Sequence, residues 1–112
     1  MAAPRLLSTW LPVLAWAGVI FALSSVPGLT TGLGFWDLLL RKLAHVAEFA
    51  ILGALLARAL PELYALVAGV GYAAIDELHQ HTVPGRVGTL RDVALDAVGV
   101  LVGVLLWRRV RA

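Results

Sequence analysis

The amino-acid sequence predicts an all-α integral membrane protein that folds as a four-helix transmembrane bundle. Its 112 residues are 61% hydrophobic and only 14% charged, whereas soluble proteins average about 45–50% apolar and about 25% charged residues. The apolar residues gather in four segments separated by turn residues. A chain of this length forms one domain over residues 1–112, and as a soluble domain it would leave large apolar patches in water.

We expect the four helices at about residues 6–23, 36–60, 63–79 and 90–107. Each segment is close to the length of about 20 residues that crosses a bilayer as a helix. Lipid offers no hydrogen-bond partner to backbone groups, so these segments should form helices and not strands. Pro61 leaves almost no connection between the second and third segments, which must therefore be antiparallel neighbours.

The first segment has one alternative interpretation, a secretory signal peptide. Arg5 precedes an apolar run that ends near Ser24, as in such peptides. Trp10, Pro12 and Trp16 interrupt the run, however, and the small-x-small cleavage pattern is poor. We therefore favour a helix of the bundle, with Pro12 in its first turn or at a kink near its start.

The distribution of arginine indicates the orientation of the chain. Three arginines follow the last apolar segment within residues 108–111, and such basic clusters mark the cytoplasmic side of a membrane. We therefore expect a multi-pass protein of the plasma membrane with both termini in the cytoplasm. No basic stripe interleaved with aromatic residues is present, which argues against nucleic-acid binding. The absence of cysteine excludes disulfides and cysteine-bound metals.

One face of the second predicted helix carries ionisable residues. At about 100° per residue, Arg41, His45 and Glu48 fall within an arc of roughly 60°, and Lys42 lies at its edge. Arg41 and Lys42 alone could simply reach for lipid headgroups. That explanation does not cover His45 and Glu48, which lie progressively deeper.

The third predicted helix ends in a second polar group. Asp76 and Gln80 are stacked one turn apart, Glu77 lies beside them, and His79 points to another face. Two adjacent carboxylates can form a charge-balanced network with nearby cations, or a cation site. As pure structure, such a network would hold the helices in register.

The fourth predicted helix carries a stripe of carboxylates that continues into glycines. Asp92, Asp96, Gly99 and Gly103 fall within an arc of roughly 60°, and the glycines should allow close packing on a neighbouring helix. The second and fourth helices begin at the end of the bundle where the third one ends. One site should therefore contain the following residues: Lys42, His45, Glu48, Asp76, Glu77, Gln80, Arg86, Asp92 and Asp96.

The order and spacing of these residues resemble the VanZ-like family. The matching motifs are Lys42-x-x-His45-x-x-Glu48-Phe49, Asp76-Glu77-x-His79-Gln80, Pro84-Gly85-Arg86 and Asp92-x-x-x-Asp96-x-x-Gly99, together with Ser24-Ser25-x-Pro27-Gly28. The resemblance implies a multi-pass bacterial envelope protein, in a family named for a member associated with teicoplanin resistance. It implies no mechanism. Arg41 stands where the family often has an aspartate, and Phe49 where a tyrosine is common, so the resemblance leaves the partner of Lys42 open.

The first functional hypothesis is binding of an envelope lipid headgroup or a peptidoglycan precursor, with an influence on glycopeptide susceptibility. Arg86 and Lys42 would hold an anionic group of that ligand, because the arginine fork matches phosphate and carboxylate. The surrounding carboxylates would hold these cations in place.

The alternative is a membrane-embedded hydrolase or transferase that acts on a lipid-linked group. His45 or Glu77 would be the general base, and Arg86 would stabilise developing negative charge. In one variant a divalent metal is held by His45, Glu48, Asp76 and Asp92, since imidazole and carboxylate suit zinc, manganese or iron.

Two further interpretations stay open. Buried acids and His45 are also typical of a proton or cation relay. Four short helices could form such a path only as a homo-oligomer. The polar residues could, finally, form a purely structural network that supports a partner protein.

Overall fold

A computed structural model of the chain describes residues 2–25, 34–83 and 90–111. Within these ranges the chain forms four α-helices and no strand, as the sequence predicts. They are α1 (Ala2–Ser24), α2 (Phe35–Ala59), α3 (Glu62–Gln80) and α4 (Leu90–Arg111). The first helix begins earlier than predicted, at Ala2, and the last one ends later, at Arg111, because helical hydrogen bonding continues beyond the apolar runs. Basic side chains in the last turn of α4 favour this extension, since they interact well with the helix dipole.

Contacts between helix ends define an up-and-down topology. Ser24 at the end of α1 contacts Asp76 near the end of α3, and Lys42 in α2 pairs with Asp92 at the start of α4. At the other end, Arg108 in α4 pairs with Glu62 at the start of α3. Consecutive helices are therefore antiparallel, which confirms the prediction for the second and third helices.

The helices α2 and α4 form the most extensive contact of the bundle. Glycines make this possible: a Cβ atom on Gly103 would overlap the Ala50 carbonyl oxygen, and one on Gly99 would lie 2.5 Å from the Val46 oxygen. The predicted glycine seam is thus confirmed. In contrast, α1 packs on α2 and α3 and makes no contact with α4 in the described ranges.

The surface of the bundle is strongly apolar. Large hydrophobic side chains are exposed on all four helices, among them Leu11, Leu43, Leu78 and Leu105. By length and composition, one helix among the described residues qualifies as a membrane span, over Leu6–Ser24, and little of it is buried. The other three helices carry more ionisable residues. The prediction of four helices is therefore confirmed, while their insertion in a membrane remains a prediction.

Candidate functional site

Polar side chains from all four helices meet at the end of the bundle where α1 and α3 end. The Ser24 hydroxyl donates a hydrogen bond to Asp76 Oδ2 over 2.8 Å. The Gln80 amide donates to the same oxygen over 2.9 Å. One carboxylate oxygen therefore accepts two hydrogen bonds and ties α1 to α3.

His45 extends this group to the other two helices. Its Nε2 lies 3.5 Å from the Gln80 amide nitrogen, and its Nδ1 lies 3.5 Å from Asp96 Oδ1. If the amide donates to Nε2, the ring proton is on Nδ1 and faces the carboxylate. We call Ser24, Asp76, Gln80, His45 and Asp96 the polar network.

The polar network is almost entirely buried. Only 2% of Asp76, 1% of Asp96 and 5% of Gln80 is exposed. Burying such groups is costly unless they are hydrogen-bonded, yet Asp76 Oδ1 and Asp96 Oδ2 have no hydrogen-bond partner among the described residues. The site therefore holds two buried acceptors that a donor could still engage.

Two further predicted site residues lie beside the network. Glu48 Oε2 is 4.0 Å from His45 Nδ1, and Glu77 is buried next to Asp76 along α3. The side chains of His45 and Glu48 are 17% and 14% exposed, which gives this end of the network access to the surface. The predicted convergence of α2, α3 and α4 is thus present in the structure.

Lys42 lies outside the polar network. Its ammonium forms an ion pair with Asp92 Oδ1 at 2.5 Å, and both side chains are partly exposed. This contact supplies the partner that the family resemblance left open, and it links α2 to α4 beside the glycine seam. Arg86, the other predicted cation, lies outside the described residues together with Pro84 and Gly85.

The four predicted metal ligands do not converge. In the parts of the chain that the structure describes, no group of three or more His, Asp or Glu side chains is placed to hold a metal ion. Asp92 is engaged with Lys42, while Asp76 accepts its hydrogen bonds from Ser24 and Gln80. The donor set therefore does not fit a divalent metal held by His45, Glu48, Asp76 and Asp92.

The contribution of α1 to the site was not predicted. The first helix was predicted to end just before Ser24, because helix breakers follow that residue, although Ser24 belongs to a motif of the family. Its neighbour Ser25 lies 2.8 Å from His79 Nε2 and donates its proton to the Phe21 carbonyl. While the hydroxyl proton is donated to the Phe21 carbonyl, Ser25 can only accept from His79, and in that arrangement the histidine cannot act as its base.

Hydrogen bonds from two aromatic side chains also hold α1 against α2 and α3. Trp16 donates its indole N–H to the Glu48 carbonyl over 2.8 Å, and the Tyr72 hydroxyl donates to the Ala17 carbonyl. Both acceptors are backbone oxygens within helices, and both bonds cross to another helix. Neither bond was predicted from the sequence.

Comparison with known proteins agrees with the resemblance drawn from the motifs. The family model described as VanZ/LLP1 matches residues 7–111. Comparisons with curated proteins and with solved structures gave no match. The matched range contains the whole polar network and nearly all of the four helices. On this evidence, the chain belongs to the VanZ/LLP1 family.

Proposed function

We propose that this protein is a multi-pass protein of the bacterial plasma membrane. The exposed apolar side chains on all four helices support this, because exposing such a large apolar surface to water is unfavourable. The burial of Asp76 and Asp96 between helices also supports it, since ionisable residues in membrane helices face the bundle interior. Arg58, Arg108 and Arg109 belong to the end opposite the polar network, which we assign to the cytoplasm with both termini.

We further propose that the polar network binds the headgroup of an envelope lipid or of a lipid-linked peptidoglycan precursor at the outer membrane face. The observation that carries this proposal is the pair of open acceptors, Asp76 Oδ1 and Asp96 Oδ2. An unsatisfied buried acceptor costs about 1–3 kcal/mol. A headgroup with hydroxyl or ammonium donors would satisfy both atoms.

The role of the two predicted cations changes under this proposal. The Lys42 ammonium is already paired with Asp92, so a bound anionic group would have to displace that carboxylate. Arg86 remains the predicted partner of an anionic group. Donor groups of the ligand are therefore expected to contribute more to recognition at the polar network than its negative charge.

A hydrolase or transferase acting on a lipid-linked group is the second candidate function. The placement of His45 beside Asp96 favours it, because a carboxylate can orient a histidine base. Glu77, buried on α3, is the other candidate base. Incubation of the purified protein with lipid-linked precursors distinguishes the two functions, since only an enzyme releases a product.

The proposed headgroup site is tested by identifying the lipids that remain bound after purification in a mild detergent. In Asp76→Asn the amide oxygen can keep the two hydrogen bonds at the Oδ2 position, while a donor replaces the open acceptor. Asp96→Asn makes the equivalent change beside His45. We expect both variants to lose a stoichiometric lipid or precursor that the unchanged protein retains.

The matched control for these variants is Asp37→Asn, which removes a carboxylate in the first turn of α2, outside the polar network. It should retain the ligand. The proposal is refuted if all four proteins carry the same lipids, or if the control loses the ligand as the others do. In cells, a change in teicoplanin susceptibility that disappears in Asp76→Asn would connect the site with the family's namesake.

A further inference from the structure

The end of the bundle opposite the polar network contains a cleft of about 280 Å³. It lies between the α2–α3 turn and the last turns of α4. Three arginines line it, Arg58, Arg108 and Arg111, together with a single carboxylate, Glu62. The cleft therefore carries a surplus of positive charge, even though Arg108 Nε lies 3.5 Å from Glu62 Oε1.

Two more features make this cleft suitable for an anion. Trp107 lines it, and its indole N–H is buried without a hydrogen-bond partner among the described residues. The helix α3 begins at Glu62, and its N-cap residue Pro61 offers no side-chain cap; the first N–H groups of a helix attract anions. Guanidinium groups bind phosphate through paired hydrogen bonds.

An apolar groove adjoins the cleft on the outer face of α4. Val102, Leu105 and Leu106 line it, and Arg108 and Arg109 lie at its end. Arg108 lines both the groove and the cleft. The apolar groove therefore continues directly into the cationic cleft. A phospholipid has the same arrangement, with an apolar acyl chain next to an anionic phosphate.

We propose that the cleft and the groove together bind one anionic phospholipid, with its phosphate among Arg58, Arg108 and Arg111 and an acyl chain along α4. This site is separate from the proposed headgroup site, because the 12 residue steps from Asp96 to Arg108 span about 18 Å of helix. It goes beyond the headgroup proposal and rests on the proposed membrane location. If the arginines at this end only fixed the orientation of the chain in the membrane, neither a cleft nor a groove would be needed.

The proposal is tested by titrating the delipidated full-length protein, in a neutral detergent, with phosphatidylglycerol. Phosphatidylcholine and free glycerol phosphate are titrated in parallel, and bound lipid is counted by native mass spectrometry. We expect one saturable phosphatidylglycerol site and much weaker binding of the other two probes. Arg111→Gln should weaken phosphatidylglycerol binding about tenfold, since it removes a charge-assisted contact with phosphate.

Arg91→Gln is the matched control, because it removes an exposed arginine at the opposite end of the same helix. It should leave phosphatidylglycerol binding unchanged. Trp107→Phe keeps the aromatic ring but removes the buried N–H, and it should weaken binding several-fold. Circular dichroism and elution volume confirm that each variant is folded.

Three results would overturn the proposal. Equal weakening by Arg91→Gln and Arg111→Gln would mean a general attraction between charges. Glycerol phosphate binding as tightly as phosphatidylglycerol would mean an anion site without an acyl chain. Binding that does not saturate would mean no defined site. None of these results concerns Asp76 or Asp96, so the headgroup proposal is tested independently.

Discussion

Replacing Gly103 with alanine should separate the two helices that pack most closely. The new Cβ would overlap the Ala50 carbonyl oxygen and lie 2.9 Å from the Ala54 nitrogen. Both are backbone atoms that cannot rotate away, so α4 must move from α2 as a unit. Overpacking typically costs about 1–3 kcal/mol, and we take about 3 kcal/mol because the neighbours are rigid. Alanine has a higher helix propensity than glycine, which offsets about 1 kcal/mol of this cost.

The expected net loss is therefore about 2 kcal/mol of unfolding free energy, or roughly 10 °C in Tm. Thermal unfolding in mild detergent, followed by circular dichroism, measures it. Gly71→Ala is the matched control, because that helical glycine is exposed and an added Cβ there would meet no atom within 4 Å. The unfolding free energy of Gly71→Ala should rise by about 0.5–1 kcal/mol. A Gly103→Ala protein as stable as Gly71→Ala would refute the reasoning.

Two further predictions concern contacts between helices. Ser24→Ala should lower the stability by about 1 kcal/mol, because Asp76 loses one of its donors; an unchanged Tm would contradict a role for this bond. A double-mutant cycle with Lys42→Met and Asp92→Leu should give a coupling energy of about 1 kcal/mol, since both partners are partly exposed; a coupling energy near zero would mean that the ion pair does not hold α2 to α4.

Much of this architecture follows from periodicity and topology. Four apolar runs predict four helices, and the short connection at Pro61 makes two of them antiparallel. Helix phase then places His45, Asp76 and Asp96 on inward faces at one end. These arguments succeed because a helix fixes the direction of its side chains, and because short connections leave few topologies.

Other features could not be read from the sequence for physical reasons. Ser24 lies in the last turn of α1 just before Pro27 and Gly28, so propensity alone assigns it to the loop. The long side chain of Lys42 can reach several carboxylates, and only the packing of α2 on α4 selects Asp92. The tryptophan and tyrosine bonds to α1 depend on how that helix is docked, which no local pattern specifies.

The polar network is more important for holding α1 in the bundle than for holding α2 and α4, and this difference bears on its role. The helices α2 and α4 already pack through the glycine seam and the Lys42–Asp92 pair. In contrast, α1 makes fewer contacts, and Ser24 is its only described link to the network.

A network selected only to hold the helices would be expected to satisfy all of its buried oxygens, because each open one costs about 1–3 kcal/mol. Asp76 leaves one oxygen open while its other oxygen holds α1. A ligand that engages Asp76 would therefore act on the same carboxylate that docks α1. Binding at the network and the position of α1 should consequently be coupled, and Ser24→Ala should weaken ligand retention as well as stability.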